Sequence, residues 1–158
     1  MSCLDKSVKC LVMMFVISCI FLSAFAYAGI DDELAAVTKK GNAIEIRPLI
    51  DKGANVNARD TDDSTILMVA SDYGHIEAVK ILLAKGADVN AKANNGFTAL
   101  MTASNKGHSE VVKILLESGA AVNAKTKEGF TPLMYASLKG HAQVAESLLA
   151  KRASLNDK

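Results

Sequence analysis

Residues 98–124 read TALMTASNKGHSEVVKILLESGAAVNA, a stretch with the pattern of two short helices and a turn. Thr98 is a residue type that caps helix N-termini, and the apolar run behind it ends at Gly107. A second apolar face runs over 109–118 and is closed by Gly119. The polar residues that come next are typical of a connecting loop. The stretch therefore predicts a helix–turn–helix unit followed by a loop.

The same unit recurs along the chain at one constant step, the step from Thr65 to Thr98 and from Thr98 to Thr131. A single helix pair of this size is too short to bury its apolar face alone, and a stacked neighbour supplies the missing surface. A fixed period of this length therefore predicts a solenoid. The residues that keep the step are Thr65, Thr98 and Thr131; Gly74 with His75, Gly107 with His108, and Gly140 with His141; Gly53 with Ala54, Gly86 with Ala87, and Gly119 with Ala120; and Asn57, Asn90, Asn123 and Asn156.

The unit resembles the ankyrin repeat, whose pattern runs through a turn, T-P-L-H-x-A, G-H, an apolar helix and G-A-D-V-N-A. The matching stretches are TPLMYA at 131–136, the Gly-His pair at 140–141, and GADVNA at 86–91. The resemblance covers nearly all of residues 31–158. It implies an all-α ankyrin-repeat solenoid, in which stacked helix–turn–helix units are joined by hairpin-like loops. Four units are expected, at approximately 31–60, 61–93, 94–126 and 127–158, the first and last acting as caps.

The chain departs from the ankyrin pattern at one position in each unit. The His of T-P-L-H is replaced by Met68, Met101 and Met134. In the family, that His ties neighbouring turns together by hydrogen bonds. We therefore expect apolar packing of the methionines to replace the polar ties in this chain.

The segment at 1–28 is a different kind of sequence. Lys6 and Lys9 give a basic start, an uncharged run over 11–28 follows, and Ala26 and Ala28 form an A-x-A site. These features predict a secretory signal peptide that is cleaved after Ala28. The bacterial style of this leader points to the periplasm or envelope.

Two other interpretations of the leader remain open. An uncleaved membrane anchor is one, because the uncharged run over 11–28 is close to the shortest length that spans a bilayer. A lipoprotein is the other, because VISC at 16–19 resembles a lipobox that would be lipidated at Cys19. All three interpretations place the rest of the chain outside the cytoplasm, in the periplasm or secreted. Only cleavage without lipidation leaves it with no membrane contact.

Removal of the leader changes the composition of the chain. The whole chain has a formal net charge of +1, whereas the residues after Ala28 carry as many basic as acidic side chains. This balance argues against a nucleic-acid partner, which a basic surface would bind. The three cysteines, Cys3, Cys10 and Cys19, all lie in the leader, so the mature domain has no disulfide, reactive thiol or thiolate metal ligand.

The remaining polar clusters favour structural roles over chemistry. The three histidines occupy the same place in successive units, whereas a zinc site needs ligands that converge on one ion. The adjacent carboxylates at 31–32 and 62–63 are typical of helix starts and turns. The sequence has no G-x-S-x-G elbow and no Gly-rich phosphate loop. We therefore expect no enzyme activity, no cofactor and no metal.

The four aromatic residues after the leader give the best candidates for binding. The resemblance places Phe97 and Phe130 on exposed hairpin loops and Tyr73 at the end of a first helix, which are the parts of ankyrin proteins that line the concave groove. Two interpretations stay open: Phe97 and Phe130 contact a partner, or they only stack on each other. The predicted partner-binding residues are Asp62, Ser64, Asp72, Tyr73, Asn94, Asn95, Phe97, Asn105, Lys106, Lys127, Glu128, Phe130, Leu138 and Lys139.

The sequence as a whole predicts a non-enzymatic protein–protein interaction module. It would be exported to the periplasm or envelope and would bind a protein partner, as a monomer, through its concave groove and loop tips. One alternative is a secreted effector that acts on a host or competitor protein. Another is a non-catalytic subunit of an envelope enzyme.

Overall fold

The computed structural model describes residues 29–153, and these residues form eight helices in four pairs. The predicted leader at 1–28 and the asparagine at 156 lie outside the described residues. Within them no strand is formed, only an isolated antiparallel bridge between Arg59 and Thr65. The helices are α1 (29–39), α2 (Ala43–Asp51), α3 (Ile66–Asp72), α4 (Ile76–Ala84), α5 (Ala99–Lys106), α6 (Ser109–Glu117), α7 (Pro132–Leu138) and α8 (Ala142–Ala150).

The helix pairs stack in chain order, one layer for each helix of the pair. Helix α5 packs between α3 and α7, and the second helices follow one another as α2, α4, α6 and α8. This arrangement confirms the predicted all-α repeat fold. The contacts run mainly between sequence neighbours, as expected for a solenoid in which each unit buries its apolar surface on the next.

Two columns of leucines form the centre of the core. Leu34, Leu67, Leu100 and Leu133 stand at one repeat position in the first-helix layer, and all four are buried. Leu49, Leu82, Leu115 and Leu148 form the second column, also buried, in the other layer. Burial of each side chain is worth roughly 1.5–3 kcal/mol. These columns hold the units in register.

The three first helices with a threonine start begin at the predicted cap. The hydroxyl oxygens of Thr65, Thr98 and Thr131 each accept a hydrogen bond, at 3.3 Å, from the backbone N–H of the methionine in the first turn. This bond satisfies one of the N–H groups that a helix start leaves free. The cap predicted for Thr98 is therefore confirmed.

The Gly-His pairs tie each unit to the one before it. The Nε2 atoms of His75, His108 and His141 lie 3.2, 2.9 and 3.2 Å from backbone carbonyl oxygens of the preceding unit. A carbonyl can only accept, so each Nε2 carries the proton and donates it. The acceptors belong to Lys39, Asp72 and Asn105. The structural role predicted for the three histidines is thus the one they have.

The expectation that apolar packing replaces the polar ties is therefore wrong in part. Met68 and Met101 are buried, with exposed fractions of 3% and 0%, but Met134 is 38% exposed because no unit follows it among the described residues. Polar ties between units persist, because the histidines of the Gly-His pairs provide them. The methionines add packing to these bonds and do not substitute for them.

An asparagine ladder joins the loops on the other edge of the stack. The Oδ1 of Asn57 accepts from the backbone N–H of Asp88 at 2.8 Å, and the Oδ1 of Asn90 accepts from that of Ala121 at 2.8 Å. The periodic spacing of the asparagines thus reflects one bond repeated between units.

Candidate functional site

An open cavity of about 580 Å³ lies between the first helices and the loops of the first three units, the parts that line the concave groove of ankyrin proteins. Helices α1, α3 and α5 form its floor, and the loops before α3 and α5 form its wall. We call this cavity the groove. Its lining residues are Ala35, Ala36, Lys39, Asp60, Thr61, Asp62, Ser64, Met68, Val69, Asp72, Tyr73, Ala93, Asn95, Phe97, Thr102 and Asn105.

The predicted binding residues divide evenly between the groove and the surface beyond it. Those that line the groove are Asp62, Ser64, Asp72, Tyr73, Asn95, Phe97 and Asn105. Those outside the cavity are all exposed: Asn94, Lys106, Lys127, Glu128, Phe130, Leu138 and Lys139. Most of the second set belongs to the fourth unit, which the cavity does not reach.

The repeat places the fourth unit on the same concave surface. Phe130 stands one repeat period after Phe97, and Leu138 stands one period after Asn105. Since Phe97 and Asn105 line the groove, their counterparts Phe130 and Leu138 continue its surface into unit four. The groove and the exposed residues of unit four therefore form one surface.

Tyr135 joins the two loop phenylalanines into one aromatic cluster. Its ring centroid lies 5.0 Å from that of Phe97 and 5.5 Å from that of Phe130, both in tilted arrangements. The two phenylalanines thus pack on Tyr135, which the sequence interpretation did not include among the binding residues. Phe97 is half-buried in this cluster, whereas Phe130 is 40% exposed. The cluster therefore packs internally through Tyr135 and leaves the ring of Phe130 exposed to solvent.

Partial burial raises the pKa of the Tyr135 phenol above its ordinary value of 10.0. The nearby carboxylate of Glu128 acts in the same direction, while a hydrogen bond with the Thr126 side chain opposes it. The hydroxyl of Thr126 also accepts from the backbone N–H of Phe130 at 3.2 Å. These bonds fix the loop that carries Phe130.

Charged side chains hold the loops around the groove. The Oδ1 of Asp60 accepts from the backbone N–H groups of Asp62 and Ser64, both at 2.9 Å. The Nη1 of Arg59 donates to the backbone carbonyl of Asp63 and, across the units, to that of Lys92. The wall of the groove is therefore a turn that is held by side-chain hydrogen bonds.

At the end of the first helices, an aromatic stack and an ion pair brace the rim of the groove. The ring of Tyr73 stacks on that of His75 with centroids 5.7 Å apart, and 45% of Tyr73 is exposed beside the groove. The Nζ of Lys106 lies 3.4 Å from the Oδ1 of Asp72 in the preceding unit. The ion pair therefore joins adjacent units at the groove.

Sequence interpretation missed the part of the groove that belongs to unit one. Lys39, Ala35 and Ala36 line it from α1, which has no threonine cap or T-P-L motif to set its register. The repeat step could have found them, since Lys39 precedes Asp72, and Ala36 precedes Val69, by one period. The buried Met68 and the half-buried Val69 and Thr102 were missed because they count as core in a helical pattern.

In each of the adjacent acidic pairs that the sequence singled out, at least one side chain has a structural partner. Among residues 29–153, no three His, Cys, Asp or Glu side chains are grouped closely enough to hold a metal ion. Asp63 forms an ion pair with Arg59 at 3.1 Å, and Asp31 accepts from the backbone N–H of Asn55 at 2.7 Å. Over the same range, no helix has both the length and the apolar character needed to cross a membrane.

Comparison with known proteins agrees with this architecture. The family model described as "Ankyrin repeats (3 copies)" matches residues 31–93 and 88–158, which together cover most of the chain. No curated protein matches the chain. Ankyrin repeats generally mediate protein–protein interaction and are typically non-enzymatic. The chain therefore belongs to the ankyrin-repeat family.

Proposed function

We propose that this chain is an exported, non-enzymatic module that holds a segment of a partner protein against its concave surface. The observation that carries this function is the line of aromatic side chains along that surface, from Tyr73 through the Phe97–Tyr135–Phe130 cluster, in which Tyr73 and Phe130 are exposed. Aromatic side chains with polar surroundings are the usual centres of binding energy in protein interfaces. The mixed charges around them suit a protein better than a nucleic acid.

Preorganisation is the mechanism by which this surface would bind. The Asp60 turn, the Arg59 bridge to the next loop and the Asn57 and Asn90 bonds hold the loops before a partner arrives. A rigid surface loses little conformational entropy on binding, so more of the contact energy contributes to affinity. The chain acts as a monomer in this scheme and needs no cofactor.

Export is supported by the leader sequence alone. A signal peptide cleaved after Ala28 would deliver the module to the periplasm or envelope. Fractionation of cells, with mass spectrometry of the mature N-terminus, tests this part: a start at Gly29 is expected, and an intact Met1 in the cytoplasm would contradict it. Protein found in the culture medium would instead favour a secreted effector that acts on a host or competitor protein. Co-purification with an envelope enzyme would favour a role as its non-catalytic subunit.

The binding function is tested by removing the most exposed ring of the cluster. Phe130→Ala should weaken capture of the native partner from envelope extracts at least tenfold, because the ring is exposed and its loop is held by Thr126. The matched control is Ile44→Ala, which removes another exposed apolar side chain but lies on α2, outside the groove lining. Equal capture by both variants would contradict binding through the concave surface.

A further inference from the structure

The chemistry of the concave surface changes from one end to the other. Three repeat positions run along it in columns, and each column is apolar or aromatic at unit four. The columns are Lys39, Asp72, Asn105 and Leu138; Ala36, Val69, Thr102 and Tyr135; and Ser64, Phe97 and Phe130. In an ideal repeat the same residue type would stand at each of these positions. The residue types differ here, so the chemical character of the surface differs from unit to unit.

The part of the surface formed by α3 and the loop before it is acidic, whereas unit one beyond it contributes Lys39. Three of the four charged residues that line the groove are aspartates, Asp60, Asp62 and Asp72, and the fourth is Lys39. We call the three aspartates the acidic end. Asp60 accepts hydrogen bonds from backbone N–H groups, and Asp72 forms an ion pair with Lys106. The third aspartate, Asp62, is exposed at the rim of the groove. The groove keeps a net negative charge that its own lining side chains do not balance.

The end at unit four is apolar. Phe130, Met134 and Leu138 are 40%, 38% and 72% exposed, and the half-buried Tyr135 lies among them in the sequence and packs on Phe130. We call these four residues the apolar end. The exposed Lys127 and Lys139 stand beside them in the sequence, opposed by Glu128. A cationic group is therefore disfavoured at this end and favoured at the other.

We propose that the occupant of this surface is an extended polypeptide segment with Lys or Arg at one end and large apolar side chains at the other. Its basic part lies at the acidic end, within reach of the exposed ring of Tyr73, which attracts a cation. Its apolar part covers the apolar end. This inference rests on the proposed function and adds the chemistry and the orientation of the partner segment.

The spacing of the two parts follows from the stack. Neighbouring helices pack about 8–10 Å apart, so two stacking steps separate the ends by roughly 16–20 Å. An extended chain advances about 3.3–3.6 Å per residue. The basic and apolar parts of the segment are therefore about five or six residues apart.

A phage-displayed library of random dodecapeptides, selected on the purified protein, tests the inference. Enriched sequences should carry Lys or Arg separated by about five or six residues from Leu, Ile, Met, Phe or Trp. Enrichment of acidic sequences, enrichment without charge preference, or no enrichment would overturn it. Self-association that competes with the peptides and is lost in Leu138→Ser would also overturn it, in favour of a second copy as the occupant.

Variants then assign the two ends, with the strongest selected peptide as the probe in fluorescence anisotropy. Asp62→Asn with Asp72→Asn should weaken binding about tenfold and reduce its dependence on salt, because two charges that attract the basic part are gone. Glu45→Gln with Glu110→Gln is the matched control, since it makes the same change in charge on exposed residues of α2 and α6, outside the groove lining. Leu138→Ser should weaken the same peptide about tenfold without altering the salt dependence.

The outcomes separate this inference from the proposed function. If the native partner still depends on Phe130 but the peptides show no basic preference, the partner chemistry is wrong and the binding role remains. If neither the partner nor any peptide depends on residues of the concave surface, both are wrong. Equal effects of the aspartate pair and its control pair would likewise overturn the charge argument.

Discussion

Units two and three differ from unit four in environment more than in sequence. Met101 is fully buried beneath the following unit, whereas Met134, at the same repeat position, is 38% exposed. Gly107 is covered by the ring of His141, whereas no atom of the described chain would lie within 4 Å of a Cβ on Gly140. The same residue type therefore contributes differently according to whether a neighbour follows it. In a solenoid each unit is covered on one side by the unit that follows it, so the burial of a residue depends on that neighbour.

The largest effect that sharpens this comparison is expected in the interior leucine column. Leu115→Ala should lower the free energy of unfolding by about 2–5 kcal/mol, because the side chain is fully buried between stacked helices and leaves a cavity. Leu149→Ala is the control for loss of a leucine side chain, because Leu149 of the last helix is 42% exposed, and it should cost less than about 1 kcal/mol. Chemical denaturation followed by circular dichroism measures both. Similar losses in the two variants would mean that the cost does not follow the burial of the side chain.

A smaller effect is expected from a pair of glycines at the same repeat position. Gly107 and Gly140 both have left-handed backbones, with φ of +79° and +73°, so alanine at either costs about 1–2 kcal/mol. At Gly107 the new Cβ would also lie 2.6 Å from the ring of His141 and displace it from its bond to Asn105. Gly107→Ala should therefore cost at least about 1 kcal/mol more than Gly140→Ala in the same denaturation assay.

The contribution of the contact between Gly107 and the ring of His141 is measured by making the same glycine substitutions in a variant that lacks this ring. In a His141→Ala background, Gly107→Ala should cost about as much as Gly140→Ala, because only the backbone penalty remains. A persistent difference between the two glycines would place its cause elsewhere than in the histidine.

The smallest effect concerns the titration of Tyr135. Burial raises the pKa of this phenol, so the folded protein keeps the proton to higher pH than the unfolded chain. Its contribution to stability is therefore complete below the ordinary pKa of 10.0 and is lost as the pH rises through the folded-state value. The ultraviolet absorbance of phenolate, taken as the difference between the protein and Tyr135→Phe, should show ionisation above pH 10.0. Ionisation below that pH would contradict the packing of Tyr135 between the phenylalanines.

The periodic parts of the fold were the most predictable. Thr98 and Gly107 mark a helix start and end by local chemistry, and the Gly-His pairs have the structural role that their spacing indicates. Lys39 escaped prediction because unit one lacks the motif that sets the register elsewhere. Tyr135 escaped because a tyrosine within a helix shows nothing of the two rings that the loops before α5 and α7 bring against it. Both positions depend on contacts between units, which local patterns do not reveal.

The sequence by itself determined the number of units, the helix pairs, the threonine caps of the helices and the residues that repeat. These features depend on helix propensity and on the periodicity of the sequence. The tertiary structure alone decided which equivalent residues are buried and which are exposed, and which side chains from different units form one surface. Met101 and Met134 cannot be told apart by their own surroundings in the sequence. Within residues 29–153, a further unit stacks on Met101 but not on Met134, and this difference separates them, since burial depends on the pair of units and not on the residue alone.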